Sequence, residues 1–199
     1  MMTLKATVIS AMCVCSLLCL FPSPTPLRGQ SAESQQWGAP VDGLQMSISA
    51  GDYSNVGVPK FQVAVRNLGA RDVVLNLGIM LANGKVQLPD RIRLNLTDAG
   101  GRTRELHFFD KRYPGIAGRV DDYVVPLRVG STYTVTFDLD QFWSPDAGDV
   151  QPRLPPGRYQ IAAQFEGVGA KAGNSDTPGM KLMNFWTGKL QSNALTVER

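Results

Sequence analysis

Apolar and polar residues alternate along most of this chain, which restricts it to β-strands with one buried and one exposed face. The in-phase apolar positions are Leu44, Met46 and Ile48; Phe61, Val63 and Val65; Val73, Leu75 and Leu77; Ile92, Leu94 and Leu96; Tyr123, Val125, Leu127 and Val129; Tyr133, Val135, Phe137 and Leu139; and Tyr159, Ile161, Ala163 and Phe165. Helical periodicity is limited to single turns near "DLDQFW" and "GMKLMNFW". The pattern predicts an all-β protein of about eight or nine strands.

Glycine and proline separate the predicted strands, and many short antiparallel strands of this kind form a sandwich of two sheets. In "LPPGRYQI", Tyr159 lies two residues after Gly157 at the start of a strand. This spacing is typical of a tyrosine corner, in which the phenol bonds back to the backbone of the preceding loop. An ordinary strand tyrosine is the alternative.

Three segments of the second half, "YVVPLRVGSTYTVTFDLDQFW", "LPPGRYQIAAQFEG" and "FWTGKLQSNALTVE", resemble immunoglobulin-like sandwiches of exported bacterial proteins. The resemblance implies an immunoglobulin-like antiparallel β-sandwich with long end loops. It also implies a hairpin between residues 123–128 and 132–139, a penultimate strand at 158–165 and a last strand at 195–198. These motifs concern the fold and imply no particular chemistry.

The amino terminus has the composition of a secretory signal peptide, with Lys5 followed by the apolar run "ATVISAMCVCSLLCLF" and then "PSPTP". The apolar run of about sixteen residues is shorter than a membrane-spanning helix requires. We therefore expect residues 1–31 to be a signal peptide and processing region, and residues 32–199 to be a single β-sandwich domain. The mature chain is expected to be secreted or periplasmic, without a membrane span.

Cysteine and charge content exclude several classes of function. All three cysteines lie in the leader, so the mature domain can form no disulfide and must rely on its hydrophobic core. It carries 18 basic and 17 acidic residues, a balance that gives no support for nucleic acid as a partner. With one histidine and no mature cysteine, a zinc site is not expected, and neither is a cofactor.

Catalysis is not expected from the residues available. His107 is the only imidazole, it lies out of phase with Leu106, and no G-x-S-x-G motif presents a serine. The adjacent Asp121 and Asp122 should point to opposite faces of a strand. A hydrolase using carboxylates, with or without calcium, remains an alternative because Asp138, Asp140, Asp146 and Asp149 cluster in one segment.

Two groups of residues are candidates for recognition. The first is the loop that carries Lys111, Arg112, Tyr113 and Arg119, where arginine and tyrosine side chains can anchor a partner. The second is the aromatic group of Trp143, Phe185 and Trp186, which can stack on a sugar or grip a peptide. The alternatives are solvated charges for the loop and a cover over one end of the sandwich for the aromatics. In the second alternative, Met180, Leu182 and Met183 are apolar anchors of the loop.

The sequence favours an exported, non-catalytic immunoglobulin-like domain that binds a protein or a glycan at the cell envelope or outside the cell. The carboxylate hydrolase is the first alternative. A proteinase inhibitor that uses end loops is the second, although no inhibitor motif is present.

Overall fold

Eleven strands occur in the part of the chain that the computed structural model describes, which comprises residues 36–51, 58–109, 118–147, 154–171 and 179–198. They are β1 (Leu44–Ala50), β2 (Lys60–Asn67), β3 (Val73–Leu81), β4 (Val86–Leu88), β5 (Ile92–Thr97), β6 (Thr103–Phe108), β7 (Val120–Leu127), β8 (Thr132–Asp138), β9 (Phe142–Trp143), β10 (Arg158–Gly167) and β11 (Gly188–Glu198). The predicted leader, residues 1–31, lies outside the described residues.

The strands form three antiparallel sheets, and the predicted all-β, sandwich-like fold is confirmed. One sheet has the order β1-β2-β8, the second has the order β11-β10-β5-β6-β9, and the third has the order β4-β3-β7. Nine of the strands have six residues or more, and the other two, β4 and β9, have three and two. The nine longer strands correspond to the repeating pattern of the sequence.

A single hydrophobic cluster joins all three sheets. It is built from in-phase side chains, such as Leu44, Met46 and Ile48 of β1 and Ile161, Ala163 and Phe165 of β10, which the alternation placed on the inner face. Each fully buried aliphatic or aromatic side chain contributes roughly 1.5 to 3 kcal/mol relative to exposure. Burial of these side chains is therefore a main source of the stability of the described fold.

Two of the sheets are joined side by side through a side chain. The Asn193 amide of β11 accepts a hydrogen bond from the Ile48 N–H at 2.9 Å and donates to the Ile48 carbonyl at 3.1 Å. The amide thus supplies hydrogen-bond partners for the Ile48 N–H and carbonyl at the edge of β1, as the backbone of a neighbouring strand would.

The expected hairpin between residues 123–128 and 132–139 is wrong. β7 pairs with β3, whereas β8 pairs with β2, so the turn between them carries the chain from one sheet to another. Asn67 at the end of β2 holds this turn, because its N–H donates to the Ser131 carbonyl and its own carbonyl accepts from Gly130. Strand alternation cannot reveal such a crossover, since it is the same for both arrangements.

The described residues contain only short helical turns. Leu139–Gln141 and Met180–Leu182 are single 3-10 turns, and they coincide with the two turns that the sequence predicted. No helix in the described part of the chain has the length and apolar character needed to cross a membrane.

The predicted tyrosine corner is confirmed. The Tyr159 hydroxyl donates a 2.9 Å hydrogen bond to the Pro155 carbonyl, and the ring is buried in the core cluster. The bond fixes the loop that enters β10, as in Greek-key sandwiches.

Replacement of this tyrosine by phenylalanine tests the corner. Tyr159→Phe keeps the ring but leaves the Pro155 carbonyl without its donor, so we expect the free energy of unfolding to fall by about 1 kcal/mol. Urea denaturation of both proteins measures the difference. An unchanged midpoint would show that the hydrogen bond contributes nothing to stability.

Candidate functional site

The structure describes only one of the four residues predicted for the basic loop. Lys111, Arg112 and Tyr113 lie outside the described residues. Arg119 is exposed, and its Nε donates to Asp121 Oδ1 at 2.8 Å. An exposed ion pair of this kind contributes about 0 to 1 kcal/mol. The Arg119 side chain can therefore leave Asp121 and bind an acidic group of a partner molecule at little cost in free energy.

The predicted aromatic residues do not form one patch, because Trp143 and Trp186 lie on opposite faces of the five-stranded sheet. Trp143 in β9 pairs with His107 in β6, and their ring centroids are 5.8 Å apart. Trp186 instead stacks on Phe165, an inward-facing residue of β10, at 5.9 Å.

Trp186 is part of the core. It is 5% exposed, and an added Cβ at Gly167 would lie 2.4 Å from the indole carbon Cε3. The glycine therefore allows the backbone of β10 to approach the ring closely. This agrees with the covering role that the sequence offered as the alternative for Trp186.

His107 lies on the outer face of the sheet, as its phase predicted. Its Nε2 is 2.7 Å from Glu105 Oε1, and the same carboxylate oxygen accepts from Arg93 at 3.0 Å. No serine or second carboxylate is among the contacts that the structure gives for this imidazole. The group is a partly exposed set of charges beside Trp143.

The adjacent carboxylates of β7 have different surroundings. Asp121 and Asp122 point to opposite faces of β7, as predicted, and Asp122 is 2% exposed. Its carboxylate accepts from Asn76 Nδ2 at 2.9 Å and from the Lys171 N–H at 2.8 Å. Within the described ranges, which omit Asp149, no three His, Cys, Asp or Glu side chains come together as a metal site requires.

A cleft of about 430 Å³ opens where β2 ends and β3 begins. We call it the end cleft. It is lined by Asp42, Gly43, Asn67, Gly69, Ala70, Arg71, Val73, Asn184, Phe185, Trp186 and Thr187. Phe185 is half-buried there and forms a bridge with Val74, so the predicted pair of Phe185 and Trp186 contributes to one site.

The side chain of Asn67 fixes the walls of the end cleft. Its Nδ2 donates to the carbonyls of Arg71 at 2.9 Å and Leu127 at 3.1 Å, while its Oδ1 accepts from the Gly69 N–H at 2.9 Å. The residue is 1% exposed, and all of its polar side-chain atoms are satisfied. The cleft is thus preformed by buried hydrogen bonds.

Four exposed aliphatic side chains belong to turns that are linked to the end cleft, either by adjacency in sequence to its lining residues or by a hydrogen bond to Asp72. We call this group the apolar rim; its members and exposed fractions are Leu68 (55%), Val129 (48%), Leu182 (87%) and Met183 (42%). Asp72 brings two of their segments together, because its carboxylate accepts from the Val129 N–H at 2.9 Å and its carbonyl accepts from Asn184 Nδ2 at 2.8 Å.

The apolar rim corrects one sequence interpretation. Leu182 and Met183 were expected as loop anchors in the alternative reading of the aromatic group, but both are exposed. The rim was missed because its members come from three separate turns. Val129 was predicted on the inner face with Leu127, which is wrong because β7 ends at Leu127 and Val129 lies exposed in the turn that follows. An apolar residue outside the strand pattern, such as Leu68, does not by its type distinguish an anchor from an exposed side chain.

Comparisons with known proteins give no family for the chain. No family model matches it, and no curated protein matches it. Among solved structures, it is similar to the X-ray structure of a Northeast Structural Genomics Consortium target, with 12% sequence identity and a TM-score of 0.35. That match covers 80% of this chain and 89% of the other, and at this TM-score it carries no argument about function.

Alanine substitutions distinguish the buried side chain that supports the end cleft, Trp186, from an exposed side chain of the apolar rim, Met183. Trp186→Ala removes a core side chain, and we expect a loss of about 3 to 5 kcal/mol in the free energy of unfolding. Met183→Ala, three residues earlier and exposed, should change it by less than about 0.5 kcal/mol. Guanidinium denaturation measures both, and a comparable loss for Met183→Ala would contradict its assignment to the apolar rim.

Proposed function

We propose that the chain is an exported, non-catalytic binding domain that captures an extracytoplasmic protein through the end cleft and the apolar rim. The expected signal peptide over residues 1–31 supports export to the periplasm or the medium. The single observation that carries the binding role is the concentration of exposed aliphatic side chains around a preformed cleft.

The distribution of these side chains supports a dedicated surface. Among the described residues, five large hydrophobic side chains are exposed, and four of them form the apolar rim. The fifth, Phe109, is 40% exposed, and its N–H donates to Gln141 beyond the far end of β8. Scattered exposed hydrophobics are normal, whereas several of them in turns linked to one cleft favour a binding site.

The chemistry of the end cleft favours a protein over a glycan. Its rim is aliphatic, and its one partly exposed aromatic side chain, Phe185, is set between Asn184 and Thr187. Sugar-binding sites stack the sugar on flat aromatic rings and surround it with many polar groups. An aliphatic rim instead excludes water around an apolar side chain that a protein partner inserts. Arg71 and Asp42 at the same cleft supply polar contacts of both signs.

The position of the site also suits recognition. The turns that form it connect β2 to β3 and β7 to β8 or precede β1 and β11, and all of these strands contribute to the packed core. Loops that a rigid scaffold positions in this way commonly carry binding residues in sandwich domains.

Charge substitution in the rim tests the proposal. Val129→Asp combined with Met183→Asp should leave the melting temperature within a few degrees of wild type, because both side chains are exposed. It should reduce capture of a partner from native envelope and culture fluid about tenfold or more, since the partner would have to bury two carboxylates. Affinity capture followed by quantitative mass spectrometry measures the yield.

Phe109→Asp is the matched control, because it also replaces an exposed hydrophobic side chain by a charge and lies beyond the far end of β8. Its yield should equal that of wild type. A second comparison uses Arg112→Ala with Tyr113→Ala in the basic loop. Capture that survives the rim variant, or that is lost only with the loop variant, would overturn the proposal.

A further inference from the structure

A second cleft, of about 130 Å³, carries two arginines on one wall. We call it the arginine cleft; its lining residues are Leu96, Asp98, Arg102, Arg104, Leu154, Pro155 and Tyr159. Arg104 pairs with Leu96 and lies two residues before the fully buried Leu106, so its side chain leaves β6 on the core side of the sheet. Arg102 precedes it by two residues.

In the part of the chain that the structure describes, the two guanidinium groups have no carboxylate partner. Among the described residues, neither the Arg102 nor the Arg104 guanidinium has an ion-pair or side-chain hydrogen-bond partner. The acid nearest in sequence, Asp98, has its Oδ1 engaged by the Arg102 N–H at 3.0 Å within the turn from β5 to β6. Two cations and one acid therefore line this cleft, and one of the two oxygens of that acid accepts a backbone N–H.

The rest of the arginine cleft is apolar. Leu96, Leu154 and Tyr159 are buried and form its floor. The hydroxyl proton of Tyr159 is engaged by the Pro155 carbonyl, so this residue offers mainly the face of its ring. A group that enters the cleft meets guanidinium donors on one side and hydrocarbon on the other.

We propose that the arginine cleft binds a phosphate monoester carried on an apolar group. Near neutral pH such a phosphate has a charge of about −1.5 to −2 and three acceptor oxygens, which match two unpaired guanidinium groups. Arginine binds phosphate through paired N–H donors, and the apolar carrier packs on the leucine and tyrosine floor. The source is a soluble aryl or alkyl phosphate or the headgroup of a phosphatidic acid lipid.

This site is distinct from the end cleft. Tyr159 in the arginine cleft is the second residue of β10, whereas Gly167, which packs on Trp186 at the end cleft, is its last. Eight residues of extended chain separate them, a distance of about 26 Å. The ligand site therefore does not depend on the proposed function, and each is tested without the other.

Titration with phenyl phosphate tests the proposal. Isothermal titration calorimetry at low ionic strength should give saturable binding of phenyl phosphate, about tenfold weaker binding of inorganic phosphate, and no binding of phenol. Arg104→Gln should lower the affinity for phenyl phosphate about tenfold or more. Arg128→Gln, which removes an exposed arginine elsewhere, should leave this affinity unchanged. High salt should weaken binding to wild type.

A vesicle sedimentation experiment distinguishes a soluble phosphate ester from a phosphatidic acid headgroup as the ligand. Sedimentation with phosphatidylcholine vesicles that contain phosphatidic acid, but not with phosphatidylcholine alone, assigns the site to the lipid headgroup. Binding of phenyl phosphate without sedimentation assigns it to a soluble phosphate. The proposal is overturned if phenyl phosphate shows no saturable binding, if phenol binds equally well, or if Arg104→Gln retains the affinity of wild type. Thermal melting of Arg104→Gln and of the more exposed Arg102→Gln verifies that each variant is folded.

Discussion

The buried amide of Asn67 is the interaction on which the arrangement at the end cleft depends. It lies at the end of β2, and its side chain bonds the backbone of the turn before β3 and the last residue of β7. Its own backbone bonds Gly130 and Ser131, the turn that leads into β8. Since β2 and β7 belong to different sheets, this one residue joins two sheets where their strands end. Removing any of these buried partners costs about 1 to 3 kcal/mol for each unsatisfied group.

Because the turns are fixed in this way, hydrophobic side chains can be exposed at their tips without collapsing onto the core. Val129 and Leu68 flank the residues that Asn67 holds, and both stay exposed. A preorganised surface loses less conformational entropy when it binds, so rigid turns raise the affinity available from a small contact area. The wall of the end cleft and the turns that carry Leu68 and Val129 thus depend on the same hydrogen bonds.

The period-two alternation predicted the strands and the inner face because burial of one face is a local property of a strand. It also predicted the outward position of His107 and, from "LPPGRYQI", the corner formed by Tyr159. The crossover between β7 and β8 was missed, since it depends on which strand each one pairs with. The apolar rim and the arginine cleft were missed for a related reason: each joins residues from segments that only the tertiary fold brings together.

Amide hydrogen exchange in an Asn67→Asp variant tests the central claim most directly. Aspartate keeps the acceptor for the Gly69 N–H but replaces the donor to Arg71 and Leu127 by a carboxylate oxygen. The account predicts that the Val129 and Gly130 amides exchange about tenfold faster or more, because a carboxylate oxygen then faces the Leu127 carbonyl at the start of this turn and the buried side-chain bonds to Arg71 and Leu127 are lost, while Ile161 in the core of β10 is unchanged. Equal exchange rates at Val129 and Gly130 in the variant and wild type would contradict it.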